Sequence, residues 1–459
     1  MNQENGSLLL DAAKGYFRNQ GVNVMAFDDI YPEGRQAGVS VLMHGRRIAS
    51  CGDVRFEPTP GQWQPVPRQV SRTQDENSNE IVVRLRYPNE EKSLRGMNPM
   101  IYPDLDLSYS VSVRGEGPSV IVTVDLDNPV PEDFQGRVCF NLELFPGVLF
   151  GQPWIMDQQT GVFPRQPNGL VRHQPSLVNR SGHQRMNPDS GPPASRERLL
   201  GDGKTYNPIA ADEWIAVPYA AGRALTVCPD DPFTRLRIEC LTPDADLRLY
   251  DGRMNHNNGW FVVSSVLPAG RAEKALCWRI TPHAVPGWRS PTVIQLSQVG
   301  YHPGQAKRAV LEMDPETPLP AAVELCRIDA CSDGPVRTLQ PVAWGPFLRY
   351  QYAHVDFSDV QEEGLYRLRC GEAASSVFRI SRDVYDRGVW QPVLEYFLPV
   401  QMCHMRVQEK YRVWHGLCHK DDACMAPTCL NHFDGYVQGD STLTSLRSGE
   451  HVPGLNAGG

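Results

Sequence analysis

No run of about 18 apolar residues occurs in the 459-residue chain, so no membrane-crossing helix is expected. The start, Met-Asn-Gln-Glu-Asn-Gly-Ser-Leu-Leu-Leu, lacks a basic stretch, and its apolar run is only three residues. It does not read as a secretory leader, and the compartment stays open. Charge of one sign is not in large excess. A formal net charge of -8 gives no general attraction to phosphate backbones or anionic lipid. Nucleic acid and membrane surface are therefore not expected partners, while a neutral substrate is allowed. The chain also lacks a Gly-rich phosphate loop, a G-x-S-x-G and an H-E-x-x-H, which removes three common catalytic signatures.

What is present points to packed β-structure. Hydrophobic residues make up 41% and charged residues 21%, which argues for a globular core rather than disorder. Pro and Gly, 39 of each, are spread along the chain without a collagen-like period and suit many short strands and turns. The length allows two or three domains of roughly 100–200 residues. Twelve cysteines in so long a chain are not a small disulfide scaffold. Cys139, Cys228, Cys240, Cys277, Cys326 and Cys370 sit singly in apolar stretches and are expected as buried thiols.

From about residue 20 to 290 helical periodicity is nearly absent. Residues 39–56 read as two strands around Gly45-Arg46-Arg47. In 80–87, Ile81, Val83 and Leu85 alternate with Val82, Arg84 and Arg86. Residues 108–113 and 119–126 suggest a hairpin across 114–118. Further strands are expected at 137–144, 214–217, 224–228, 236–241, 247–250 and 260–266. So many strands predict a large β-sandwich over 1–290. Residues 152–212, rich in Pro, Gly, Asn, Gln, Ser and Arg, read as a long loop, either functional or a disordered insertion.

A second β unit is expected over 291–382, with strands at 307–313, 322–328, 349–357, 364–370 and 376–380. Their number and spacing fit an immunoglobulin-like sandwich, and Tyr366 in Glu362-Glu363-Gly364-Leu365-Tyr366 resembles a tyrosine corner. After Asp383 the period changes. Val389, Val393, Tyr396, Phe397, Val400, Cys403, His404 and Val407 predict one amphipathic helix, with Asp386 as its N-cap and a kink at Pro399. That apolar face needs a partner. Residues 383–459 are therefore expected to be the start of an unfinished domain.

Several ordered motifs in this half resemble family 9 glycoside hydrolases, which are cellulase-type enzymes. Gln298-Val299-Gly300-Tyr301-His302-Pro303, Lys307-Arg308-Ala309-Val310, Asp356-Phe357-Ser358, Gly364-Leu365-Tyr366-Arg367-Leu368 and Phe378-Arg379-Ile380 are similar to that family's immunoglobulin-like module. His415-Gly416-Leu417-Cys418-His419-Lys420-Asp421-Asp422 resembles the loop after its first barrel helix. Residues 450–459 resemble the approach to its catalytic motif. Residues 20–290 resemble, more weakly, supersandwich domains of carbohydrate enzymes. The resemblance implies a mainly β chain: a supersandwich-like N-terminal sandwich, an immunoglobulin-like domain, and the first helix and loop of an incomplete (α/α)6 barrel.

It further implies an inverting β-1,4-glucan hydrolase in the intact enzyme, with a polysaccharide or oligosaccharide substrate. Inversion needs a carboxylate base and a carboxylic acid about 6.5–9.5 Å apart. The W-H-D-A-G-D-type motif that supplies the base does not occur here, so no catalytic residue is assigned and the chain by itself is expected to be inactive. Some members hold zinc with two Cys and two His. By position Cys403, Cys418 and His419 match three of these ligands, and the fourth would belong to the missing motif. Thiolate and imidazole do suit tetrahedral zinc. His404, His415, Cys424, Cys429 and His432 are substitutes, and the bland alternative is unligated thiols and hydrogen-bonded imidazoles. Asp421, Asp422 and Asp434 read as turn and surface acids rather than a calcium site. Trp154, Trp214, Trp260 and Trp344 are sugar-stacking candidates, with core packing as the alternative. The competing readings are a non-catalytic carbohydrate-binding or structural β-protein and a zinc-stabilised interaction module.

Overall fold

The computed structural model describes residues 6–28, 38–56, 66–89, 105–167, 170–174, 197–199, 213–254 and 260–394, with 408–409, 412–413, 424 and 450–451. The strand alternation seen in the sequence becomes two large antiparallel sheets in the first unit. Nine strands form one of them, in the spatial order Leu9–Asp11, Tyr16–Asn19, Val22–Ala26, Val39–Met43, Arg46–Phe56, Val138–Leu144, Phe261–Val266, Leu247–Asp251 and Ala220–Gly222. The other, also of nine, runs Gln159–Val162, Pro153–Met156, Ala224–Val227, Leu236–Cys240, Leu276–Pro282, Ser119–Leu126, Leu107–Glu116, Glu80–Tyr87 and Arg68–Asp75. Their apolar faces share a single core. This is the expected large sandwich, and the expected mainly β class holds for both units.

Period-2 alternation sets which side chains enter that core. Ile81, Val83, Leu85 and Tyr87 are buried on one face of their strand, opposite Val113, Val111, Tyr109 and Leu107. Trp278 is fully buried at its centre, edge-on to Phe140 with ring centroids 4.9 Å apart. Its indole N–H needs an acceptor there. It donates to Ser265 Oγ at 3.1 Å, and that hydroxyl donates to the Asp246 carbonyl.

Several boundaries differ from expectation. The hairpin expected across 114–118 closes on two residues: Glu116 pairs with Ser119, and Gly117 has a φ of 55°. A positive φ at the first central position is what a two-residue turn with Gly there demands. The two strands expected within 39–56 do form, but the turn is His44-Gly45. Residues 152–212 are not one loop. Pro153–Met156 and Gln159–Val162 form a hairpin at the edge of the second large sheet. Trp154 pairs there with Gly161, where a Cβ would stand 2.3 Å from the indole. Leu170–Gln174, Glu197–Leu199 and Glu213–Ala216 pair in a small sheet of their own.

The division between compact units falls between Trp288 and Arg289. The second unit holds a four-stranded sheet, in order Val293–Gln295, Arg308–Met313, Tyr350–Asp356 and Pro341–Phe347. A second sheet joins Asp333–Leu339, Val323–Ile328 and Gly364–Cys370, with Phe378–Ile380 also paired to the last. Leu311, Val355, Phe357, Leu325, Leu368 and Ile380 lie in the core between them. The Tyr366 hydroxyl donates to the Glu362 carbonyl at 2.9 Å, so the expected tyrosine corner is formed.

The motif around Gly300 closes this sandwich. Gly300 has a φ of 107°, and a Cβ there would lie 2.3 Å from the Arg379 carbonyl oxygen. Only glycine accepts both the conformation and the approach. Tyr301 follows, packed edge-on against Phe357 and Phe378, its hydroxyl accepting from Ser297 N–H and donating to the Arg308 carbonyl. Lys307 is fully buried, its ammonium donating to the Pro303 and Gln305 carbonyls at 2.7 and 2.9 Å.

The expected helix starts later than Asp386. Turns closed by Asp383–Asp386 and Ser381–Val384 backbone bonds, and a φ of 75° at Gly388, occupy the stretch before it. The first helical turn covers 391–394 and places Pro392 where a missing N–H costs nothing. The remainder of that predicted helix, and with it the expected start of a helical barrel, lies outside the described residues.

Candidate functional site

The metal candidates Cys403, Cys418 and His419 lie outside the described residues, as do His404, His415, Cys429, His432, Asp421, Asp422 and Asp434. Cys424 is described, and forms an isolated antiparallel bridge with His451. Among the described residues, no group of three or more His, Cys, Asp or Glu side chains is placed to hold a metal ion. Among them, too, no disulfide is formed. Cys139, Cys228, Cys240, Cys326 and Cys370 are buried as expected, whereas Cys277 is only half-buried.

The four tryptophan candidates separate. Trp154 is buried in the first unit's core. Trp260 is half-buried and lies tilted against Phe145, with centroids 5.0 Å apart. Trp214 is outside the residues whose side chains are described. Trp344 alone of the described three is largely exposed, at 57%.

Trp344 lies on Pro341–Phe347, an edge strand of the four-stranded sheet, between positions where a register shift interrupts pairing. Val342 pairs with His354, Gly345 with Tyr352 and Phe347 with Tyr350 on the neighbouring strand. The Trp344 ring lies edge-on to Tyr352 at 6.0 Å and tilted by 36° to His354 at 6.5 Å. Val342, Phe347 and Leu348 are more than half exposed beside it. Polar groups border these rings. The Tyr352 hydroxyl donates to Glu312 Oε2 at 3.1 Å, and burial together with that carboxylate pushes its pKa up. Arg349 sits over the Tyr350 ring at 5.0 Å. Contiguous exposed apolar surface rimmed by polar groups marks a contact surface. Aromatic faces beside hydrogen-bonding groups can take the apolar face of a pyranose.

A second cluster, missed in the sequence, is buried in the first unit. Asp53 is fully buried, 3.4 Å from the Arg55 guanidinium, and accepts from the Tyr109 hydroxyl at 2.8 Å and from Val54 N–H. The Tyr87 hydroxyl donates to the Val54 carbonyl. Burial pushes the Asp53 carboxyl up to about 6, against the pull of Arg55 and the two hydrogen bonds. Burial opposes the charge on Arg55 as well, but Tyr87, Asp53 and Glu143 outweigh it and hold the guanidinium protonated. Burial, then Glu143, push the nearby Cys51 thiol up to about 12. A thiol so raised is not a nucleophile at neutral pH. The cluster ties two strands of one large sheet to two of the other. It has no open face among the described residues from which chemistry on a substrate can be derived. The one sequence signal for it was Asp53 and Arg55 two apart in the mostly apolar stretch 48–56.

Residues 289–375 match the family model described as the cellulase N-terminal ig-like domain. No curated protein matches the chain. Among solved structures, a Bacteroides ovatus GH9 protein is 21% identical, with 35% of this chain and 26% of that one covered and a TM-score of 0.22. A metagenome-derived glycoside hydrolase family 9 endoglucanase is 22% identical, covering 35% of this chain and 28% of that one, with a TM-score of 0.23. The match thus spans little more than a quarter of the length of these proteins. It is the domain match that relates residues 289–375 to the cellulase module.

Proposed function

We propose that this chain is the N-terminal portion of a family 9 glycoside hydrolase acting on β-1,4-glucan-type polysaccharide. One observation carries the reading: residues 289–375 match the cellulase N-terminal ig-like domain, within a sandwich that strand Phe378–Ile380 completes and the Gly300–Tyr301 motif closes. In the intact enzyme hydrolysis would invert the anomeric centre through a carboxylate base and a carboxylic acid. Neither is assigned within 1–459. The chain by itself is therefore proposed to be inactive, with 383–459 the beginning of the catalytic (α/α)6 domain and 1–290 and 291–382 the two β-domains before it. The test is reducing-sugar release from carboxymethylcellulose. The 459-residue chain should give none above background, and a gene product extended past Gly459 should give clear turnover. Turnover by the short chain would overturn this placement of the catalytic groups.

Cys403, Cys418 and His419 are proposed as three ligands of a structural zinc in the intact enzyme, which needs four. Metal analysis of the purified chain tests this. Zinc bound stoichiometrically and lost in Cys403→Ala/Cys418→Ala supports the assignment, whereas zinc retained by that variant refutes it.

A second reading, a non-catalytic carbohydrate-binding β-protein, is favoured by the exposed surface at Trp344. It predicts retention on insoluble glucan without turnover, both in this chain and in any extended form.

A further inference from the structure

Residues 285–288, just before the division at Trp288, are held by one imidazole. His44 sits in the tight turn His44-Gly45 with a φ of 51°, and its own N–H donates to the Gly21 carbonyl at 2.6 Å. Both ring nitrogens are engaged. Nδ1 lies 2.7 Å from the Phe233 carbonyl, and Val285 N–H donates to Nε2 at 3.3 Å. A carbonyl can only accept and an N–H can only donate. The pair therefore fixes one neutral tautomer, with the proton on Nδ1 and a lone pair on Nε2. The Phe233 and Trp288 rings stand edge-on to the imidazole, with centroids at 5.4 and 5.1 Å. Gly287 N–H donates to Gln20 Oε1, and the Trp288 ring covers Gly21 so closely that a Cβ there would stand 2.4 Å from it.

We propose that His44 is a pH-sensitive latch on residues 285–288, the peptide through which the chain leaves its first unit. A proton on Nε2 turns its lone pair into a donor facing the Val285 N–H, which then has no acceptor. It also places a cation among the Phe233 and Trp288 rings, partly out of water. The charged groups around His44 divide. Arg46, on the same hairpin, and His283, two residues before the exit peptide, oppose a positive charge, while the Phe233 carbonyl and Asp231 favour it. Burial outweighs all of these and lowers the His44 pKa below its ordinary 6.5. The closed latch therefore excludes a proton that the open form binds. It is secure above 6.5 and loosens as the pH falls below it.

Hydrogen exchange of the whole chain, followed by mass spectrometry at about pH 7.5 and about pH 5.5, tests this. With an open-state pKa near 6.5, protection of the Val285, Gly287 and Trp288 amides should fall across that interval, by at most about tenfold, after correction for intrinsic exchange. The core strand Phe261–Val266 should not change. His44→Gln, which can still donate to Phe233 and accept from Val285 but cannot titrate, should abolish the drop. His283→Gln should retain it, and this second variant decides the matter should His44→Gln fail to fold. Equal wild-type protection at both pH values overturns the proposal. So does an undiminished drop in His44→Gln, or its disappearance in His283→Gln.

Discussion

The Tyr109 hydroxyl donates to Asp53 Oδ1 at 2.8 Å and so joins the two nine-stranded sheets through a buried carboxyl. Removing that donor leaves an acceptor buried with one partner fewer. Tyr109→Phe should lower stability by about 1–3 kcal/mol, read from urea unfolding near neutral pH. The Asp53 carboxyl is raised from its ordinary 3.8 to about 6 because it is buried. Between those values the folded state holds the proton more firmly than the unfolded one. This group's contribution is thus greatest below 3.8 and is lost as the pH rises toward about 6. Asp53→Asn should flatten the stability profile across that window. An unchanged slope there would show that burial does not shift this carboxyl.

Gly300→Ala should destabilise the second unit by about 1–3 kcal/mol from its backbone conformation alone, and further through the approach to the Arg379 carbonyl. Thermal unfolding should show a lowered transition for the second unit with the first unchanged. A substitution without effect would show that the Gly300 conformation is not needed to close the sandwich.

Trp344→Ala should leave unfolding unchanged to within about 0.5 kcal/mol, as for surface positions generally. If the surface holds glucan, loss of one stacked ring costs on the order of 1 kcal/mol. Depletion binding to swollen cellulose should then weaken about five- to tenfold. Undiminished binding would place the contact elsewhere.

Thiol labelling under native conditions should separate the cysteines by burial. Cys331 is exposed, whereas Cys228 is buried with its thiol pushed up to about 11 by that burial, and Cys51 is raised to about 12. Since the thiolate is the reactive form, Cys331 should label at least about tenfold faster than either. Comparable rates, followed by peptide mapping, would contradict the burial of Cys228 and the raised thiol of the half-buried Cys51.

Much of the architecture was legible because alternation is a local property. Ile81, Val83 and Leu85 declared their face two residues at a time, and Gly364–Cys370 formed over the span expected. Among the elements that were not legible, three have a definite reason. Asp333–Leu339 and Pro341–Phe347 contain Pro335, Pro341 and Pro346, and proline argues against a central strand. Both are edge strands, where a missing N–H leaves no neighbour unpaired. Arg68–Asp75 is polar and mostly exposed along its length, so no apolar alternation announced it. Its hydrogen bonds to Glu80–Tyr87 alone define it.

The sequence by itself determined the β class, the immunoglobulin-like module and the tyrosine that caps its corner. These depend on side-chain period and on motifs local in the chain, whereas the backbone conformation that Gly300 alone accepts came from the structure. Only the tertiary structure decided that Trp344 faces outward while Trp154 is enclosed. It also decided that Asp53 and Arg55 are buried against Tyr109 and Tyr87, and that His44 grips the exit peptide 241 positions later in the chain. The burial of a polar side chain depends on what packs against its strand from elsewhere in the chain, and no spacing within the strand records that.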